Sequence, residues 1–145
     1  MSERIRELFQ RIKQDPSDTA AIQELDALMR DEADWPSLLD LYVYLAEAAE
    51  DETEASSLFR NAAVIAEENL DDPIRAIEFL NQSLEGDEVA ILGTLSEMRR
   101  LLIRIEDWEN YVEVAQSELE MLEDADEAAE LLNEMGQTFE TRIGD

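Results

Sequence analysis

Three aspartate-led dipeptides recur along the chain at nearly constant spacing, and this regularity constrains the fold more than any other feature. Successive aspartates are 38 residues (34 to 72) and 35 residues (72 to 107) apart. Aspartate is favoured just before a helix because its carboxylate accepts unpaired amide protons of the first turn, and proline suits the next position. The spacing therefore predicts that each repeat contains a helix that begins directly after its aspartate. The dipeptides are Asp34-Trp35, Asp72-Pro73 and Asp107-Trp108.

A longer internal repeat contains two of these dipeptides. Residues 34–72 align with residues 107–145 at a shift of 73 residues without a gap, and 10 of the 39 aligned positions are identical. A period of 35 to 38 residues per pair of helices is typical of a helical solenoid, in which each unit buries its apolar face against its neighbours. We interpret Trp35 and Trp108 as packing residues that fill the wedge between two helices.

The apolar residues are spaced as in α-helices throughout the chain. No stretch alternates with the period of two that a half-buried strand requires, so the predicted fold class is all-α. Short acidic patches mark the turns, because glycine and proline are scarce. About eight helices are expected, joined by short connections that make neighbouring helices antiparallel. Their predicted ranges are 3–13, 18–31, 35–49, 53–69, 73–85, 88–105, 108–122 and 125–142.

The composition excludes several classes of chemistry. The 145 residues suit one domain and include neither cysteine nor histidine, which removes disulfides, thiolate zinc sites, cysteine nucleophiles and the commonest general base. No phosphate loop, nucleophile elbow or dinucleotide fingerprint is present. The acidic runs lack the glycine and glutamate spacing of a calcium loop. We therefore expect a protein that is not an enzyme and that holds no metal or cofactor.

The charge is extreme, with 38 acidic against 11 basic side chains and a net charge of −27. Proteins bind nucleic acids and anionic membranes through lysine and arginine side chains that neutralise phosphates. Neither is therefore an expected partner of this acidic chain. Two interpretations of the acidity remain open. It keeps a protein dissolved where high salt screens the repulsion, and it attracts basic partners. No apolar run approaches the roughly 20 residues that span a bilayer, so we expect a soluble cytoplasmic protein.

Three segments resemble the tetratricopeptide repeat family. The segment "DDPIRAIEFLNQSLEGD" (71–87) is similar to the second helix of such a repeat, with a small residue at Ala76. The segment "LLNEMGQTF" (131–139) is similar to the first helix, in which Gly136 is the small residue, and "IKQDPSD" (12–18) resembles the junction between repeats. The unit is longer than the family's usual 34 residues, and Leu38, Tyr111 and Arg99 stand where the family has small residues.

The resemblance implies a right-handed α-α superhelix over residues 1–145. About three hairpins, with a flanking helix at each end, would form one repeat domain that is a segment of a longer array. The first helix of each hairpin would line a concave groove that binds a peptide or a protein surface. The function expected from the resemblance is therefore that of a non-catalytic scaffold for protein–protein interaction.

The repeat register places four of the 11 basic residues on the predicted groove face. A guanidinium group binds a carboxylate through two hydrogen bonds, so the groove is predicted to take an acidic peptide or a C-terminal carboxylate. An alternative is that Arg99, Arg100 and Arg104 pair only with nearby acids such as Glu97 and Glu106. The candidate groove residues are Gln23, Arg30, Ser57, Arg60, Ser96, Arg100 and Arg104, and Val64 shares their face.

The third predicted helix, "LLDLYVYLAEAA", is apolar nearly all round. Either neighbouring helices cover both of its faces, or Tyr42 and Tyr44 form a patch for a partner or a second copy of the chain. Three functions remain open at this point: the groove-binding scaffold, an acidic decoy or chaperone that binds basic proteins through its outer surface, and a structural spacer.

Overall fold

The computed structural model describes residues 2–85 and 90–143, the last two by their backbone alone. All regular structure in these ranges is helical, which confirms the predicted all-α class. Eight α-helices are followed, within the described residues, by a π-helical turn over Phe139–Ile143. The helices are α1 (Glu3–Gln14), α2 (Thr19–Asp31), α3 (Trp35–Ala48), α4 (Glu52–Glu68), α5 (Pro73–Ser83), α6 (Ile91–Arg104), α7 (Trp108–Met121) and α8 (Ala125–Thr138).

The predicted helices correspond one by one to the observed ones. Most boundaries agree to within one residue. The start predicted for α6 at residue 88 lies outside the described residues, and the observed helix begins at Ile91. The last predicted helix is divided, because α8 ends at Thr138 and the chain continues in the π-helical turn. The right-handed superhelix stays a prediction.

The predicted aspartate caps are confirmed. Asp34, Asp72 and Asp107 each accept a hydrogen bond from the backbone amide three residues later, at N···O distances of 3.3, 3.1 and 3.3 Å. Each bond satisfies an amide that the helix itself leaves unpaired. Asp145, which ends the second copy of the internal repeat, lies outside the described residues.

The residue directly before each of these aspartates has a left-handed backbone. The φ angle is 55° at Ala33, 49° at Asp71 and 59° at Glu106. At the two Asp-Trp turns, the aspartate amide donates to the carbonyl five residues earlier, at 2.9 Å for Asp34 and 3.0 Å for Asp107. This is the Schellman ending of a helix. Thus one helix ends and the next begins at a single residue.

The internal repeat is visible in the backbone. Helices α3 and α7 both have 14 residues and are aligned end to end by the shift of 73. The caps that open α4 and α8 also correspond, with φ and ψ of −95° and 123° at Asp51 and −81° and 120° at Asp124. The segments α2–α4 and α6–α8 are therefore two copies of one helical unit.

The chain divides into two compact units, each described here by itself. The N-terminal unit, Met1–Gly86, contains α1 to α5, and each helix packs against the next. The C-terminal unit, Asp87–Asp145, contains α6 to α8, with α7 packed on both of the others. Among the described residues, the buried polar side chains of the N-terminal unit are the two serines Ser56 and Ser83, whereas Tyr111 and Glu118 are among the buried residues of the C-terminal unit. This difference locates the candidate site.

Candidate functional site

The predicted groove residues of the N-terminal unit lie on α2 and α4. Gln23 and Ser57 are exposed. The exposed Arg30 donates a hydrogen bond from Nε to Asp26 Oδ1 at 2.7 Å, and this bond raises the pKa of Arg30. The half-buried Arg60 donates to Ser56 Oγ at 2.8 Å.

The predicted groove residues of the C-terminal unit all lie on α6. Arg100 pairs with Glu97 at 2.8 Å, which confirms the pairing with a nearby acid. Arg104 is exposed in the last turn of the helix. Ser96 is half-buried, and its Oγ lies 3.3 Å from Nη2 of Arg99. The described partners of these side chains lie on their own helix, so a groove shared by the first helices of successive hairpins stays a prediction.

Arg99 does not pair with its sequence neighbours but with acids from two other helices. Its Nε donates to Glu118 Oε1 of α7 at 2.7 Å, and its Nη1 donates to Glu134 of α8. Tyr111 donates from its hydroxyl to the same Glu134 carboxylate at 3.1 Å. Glu118 is only 4% exposed, and Tyr111 is fully buried. These four residues form a cluster that joins all three helices of the unit.

The electrostatics of the cluster keep Arg99 charged. Burial by itself lowers the pKa of Arg99, but the hydrogen bond to Glu118 and the charges of Glu118 and Glu134 outweigh it, so the pKa lies above its usual value. Burial raises the pKa of Tyr111, and its hydrogen bond with Thr138 offsets only part of that effect. Removal of Arg99 would leave Glu118 buried without a countercharge, which costs about 3–5 kcal/mol in typical cases.

The internal repeat shows what replaces this cluster in the N-terminal unit. The equivalents of Tyr111 and Glu118 are Leu38 and Leu45, both buried. The equivalent of Arg99 is Asp26, which accepts hydrogen bonds from Arg30 and from the Tyr42 hydroxyl. The alignment pairs Leu45 with Glu118, and extending the shift of 73 residues back along the chain pairs Asp26 with Arg99, so the second copy has two opposite charges where the first has leucine and aspartate. It is the signal from which the cluster could have been found.

An open cleft of about 530 Å³ lies above the cluster, between the three helices of the C-terminal unit. Its charged lining residues are Arg99, Glu118, Glu127, Glu130 and Glu134. The cleft is also lined by Leu92 of α6, by Leu122 directly after α7 and by Leu131 of α8. Four carboxylates against one guanidinium make the cleft negative, so it favours cationic groups over the acidic peptide expected from the sequence.

The two tyrosines proposed for self-association have different environments. Tyr42 is half-buried, and its hydroxyl donates to Asp26 Oδ2 at 2.5 Å. Burial, together with this hydrogen bond, raises the pKa of Tyr42. Tyr44 is 37% exposed. The proposed patch therefore reduces to Tyr44, because Tyr42 stabilises the contact between α2 and α3.

The described residues were also searched for a membrane-spanning helix and for a metal site. None of the helices has the length and apolar character needed to cross a membrane. In residues 2–85 and 90–143, no group of three or more acidic side chains is arranged to hold a metal ion.

No family model, curated protein or solved structure matches the chain.

Proposed function

We propose that the protein is a non-catalytic scaffold that binds a protein or peptide partner. The observation that carries this proposal is the repetition of one helical unit as α2–α4 and α6–α8. Helices α3 and α7 have the same length and the same aspartate cap, and aspartate caps open α4 and α8 at equivalent positions. Repeated helical units build extended surfaces whose exposed side chains vary independently of the backbone. The resemblance to tetratricopeptide repeats supports the same function.

Two of the predicted groove arginines form exposed ion pairs within their own helices. Arg30 and Arg100 each pair with an acid one helical turn away. Such exposed pairs contribute only about 0.3–0.5 kcal/mol, whereas a carboxylate held by two parallel hydrogen bonds binds arginine more strongly. A peptide carboxylate can therefore compete with Asp26 for Arg30 and with Glu97 for Arg100.

A charge reversal tests the groove. Arg60, Arg100 and Arg104 are changed together to glutamate, and affinity is measured for a partner captured from the source lysate at native salt. We expect at least about a tenfold loss. The matched control reverses Arg4, Arg11 and Lys13 of α1, which changes the net charge equally. An equal loss of affinity in both variants would show that binding depends on the net charge of the chain and not on the groove.

A second candidate function is the capture of basic proteins through the acidic surface. The negative cleft of the C-terminal unit favours it. This function predicts an affinity that falls steeply with salt, because many weak charge contacts are screened together. A binding constant that stays the same between low and high salt would contradict it.

A further inference from the structure

A second open cleft, of about 480 Å³, lies in the N-terminal unit. It is bounded by the loop between α1 and α2, by α2 itself, by the end of α3 and by the start of α4. Its charged lining residues are Asp15, Glu50 and Glu54, and all three are acidic. We call it the N-terminal cleft, and we call the cleft lined by Arg99 the C-terminal cleft.

The internal repeat relates the two clefts. A shift of 73 residues turns four lining residues of the N-terminal cleft into lining residues of the C-terminal cleft. Two of these positions are identical in both copies, a glutamate and, one helical turn later, a leucine. The cleft is therefore a property of the repeated unit. The four pairs are Leu45 and Glu118, Ala49 and Leu122, Glu54 and Glu127, and Leu58 and Leu131.

Helix α5 shows that a helix packed on this unit leaves the cleft open. Ser56 Oγ of α4 donates to the carbonyl oxygen of Ser83 at 2.6 Å, and the rings of Phe59 and Phe79 stack with centroids 6.4 Å apart. These contacts lie on another face of α4, and none of the residues Pro73–Ser83 lines the N-terminal cleft. By equivalence, a helix that packed on α8 in the same way would leave the C-terminal cleft open.

The repeated glutamate and leucine lie side by side. Glu54 and Leu58 are one turn apart on α4, as Glu127 and Leu131 are on α8, so each pair shares one face of its helix. Both glutamates are exposed. Within residues 2–85 and 90–143, neither carboxylate accepts a hydrogen bond or forms an ion pair. Each is therefore accessible to a cation that enters its cleft.

The N-terminal cleft combines negative charge with apolar surface. The hydroxyl and the backbone amide of Ser17 both donate to Asp15, and these hydrogen bonds lower the pKa of Asp15, so it stays charged. Glu50 and Glu54 add two further carboxylates, and Leu45 is among the apolar side chains of the lining. Such a surface suits a ligand with a cation at the end of an alkyl stem, because stem and cation each find their own environment.

The C-terminal cleft already holds a guanidinium group. Arg99 lines this cleft and donates to Glu118 and to Glu134, so carboxylates of the cleft bind an arginine within the structure itself. Glu127 and Glu130 line the same cleft and are both exposed. The positive charge of Arg99 weakens the attraction for a further cation, whereas no basic residue lines the N-terminal cleft.

We propose that each cleft binds one lysine or arginine side chain of a partner protein. The alkyl stem lies on Leu58 or Leu131, and the cation pairs with Glu54 or Glu127. The N-terminal cleft binds more tightly, because its charged lining is entirely acidic. The proposal rests on the proposed function of protein binding and names the chemistry of the partner, but it does not use the arginines of the predicted groove.

A probe with a single positive charge separates these sites from the general attraction of cations to an acidic chain. The probe is N-acetyl-lysine amide, and N-acetyl-norleucine amide is its uncharged control. Each is titrated into the isotope-labelled full chain at physiological salt, and backbone amide signals are followed by NMR. We expect the lysine probe alone to give saturable shifts, first around Glu54 and at higher concentration around Glu127. Shifts spread evenly over the acidic surface would contradict the proposal.

Neutral variants test the two glutamates. Glu54→Gln and Glu127→Gln should each weaken the lysine probe about three- to fivefold at their own cleft and leave the other cleft unchanged. Glu52→Gln and Asp126→Asn are matched controls, because these acids lie in the first turns of the same helices but do not line the clefts. Equal losses in the controls, or no loss in the two cleft variants, would show that the clefts are not the binding sites.

Butylamine identifies the source of the cation, because it is the lysine side chain without a backbone. If butylamine binds the clefts more tightly than the lysine probe does, they are sites for a small amine and the proposal is wrong. A captured partner distinguishes this proposal from the predicted groove. If the triple arginine reversal abolishes its binding and the double variant Glu54→Gln/Glu127→Gln does not weaken it, the groove is supported and the cleft proposal fails alone. The opposite result supports the clefts and contradicts the groove.

Discussion

In the N-terminal unit, Leu38 and Leu45 of α3 lie in an apolar core, whereas the C-terminal unit has Tyr111 and Glu118 at the equivalent positions of α7. Both helices nevertheless have the same length and start at the same kind of turn. The comparison teaches that caps and turns set the length and register of these helices, while the interior between them is free to differ. Equivalent helices thus accommodate an apolar core in one unit and a buried ion cluster in the other.

The largest expected effect comes from breaking the ion cluster. Arg99→Met should lower the free energy of unfolding of the C-terminal unit by about 3–5 kcal/mol, because Glu118 is left buried without a countercharge. The measurement is urea denaturation followed by Trp108 fluorescence in a Trp35→Phe background. Arg100→Met is the control, since its exposed pair with Glu97 should contribute less than about 0.5 kcal/mol.

A second substitution tests whether the lost stability comes from the buried charge of Glu118. Adding Glu118→Leu to Arg99→Met introduces the leucine that the other copy has at this position, and it should recover about 2 kcal/mol or more. If the double variant were as unstable as the sum of the two single variants, the cluster would not be an electrostatic unit. The two interiors would then not be interchangeable.

The turns should respond alike in both copies. Ala33→Gly and Glu106→Gly each relieve a left-handed residue that carries a Cβ, so each should raise the free energy of unfolding by about 1 kcal/mol. Ala27→Gly is a control of opposite sign, because Ala27 is exposed inside α2, where glycine costs about 0.5–1 kcal/mol. Chemical denaturation measures all three. A gain at only one of the turns would show that the copies do not share this geometry.

Gly136 and Ala63 occupy equivalent positions but should respond oppositely. Gly136→Ala should stabilise α8 by about 0.5–1 kcal/mol, because the added Cβ meets open space in a regular helix. Ala63→Gly should destabilise the N-terminal unit by at least as much, since Ala63 is buried. Thermal unfolding of the two variants would test this. A loss of stability for Gly136→Ala would mean that the position is packed against something.

The smallest effect concerns the two hydrogen-bonded tyrosines. Their pKa values are raised in the folded chain, so their contribution to stability is complete below the usual tyrosine pKa of about 10 and is lost as the pH rises through the folded values. Absorbance titration should show both ionising at higher pH in the folded than in the urea-unfolded chain. Tyr42→Phe and Tyr111→Phe assign the two signals. Earlier ionisation of either residue in the folded chain would contradict its burial.

The sequence predicted the features that depend on neighbouring residues. Asp34, Asp72 and Asp107 cap helices through bonds to amides three residues away, and the pairing of Arg100 with Glu97 is equally local. Such contacts follow from helix geometry alone. For this reason most of the helix boundaries and the three aspartate caps were predicted correctly.

The cluster around Arg99 was not predicted, because its partners are far away in the chain. Glu118 and Glu134 lie 19 and 35 residues from Arg99, and only the packing of three helices brings them together. The composition was a second reason, because one glutamate among 38 acidic residues gives no indication of a special role. The negative cleft was missed for the same reason.

The Schellman turns limit how this chain can change in length. At Asp34 the backbone amide closes the end of α2, while the carboxylate of the same residue opens α3. Asp107 does the same between α6 and α7. A single inserted residue would assign these two tasks to different residues and break one of the bonds. The two junctions should therefore accept substitutions but neither insertions nor deletions, and homologous chains should keep their length there.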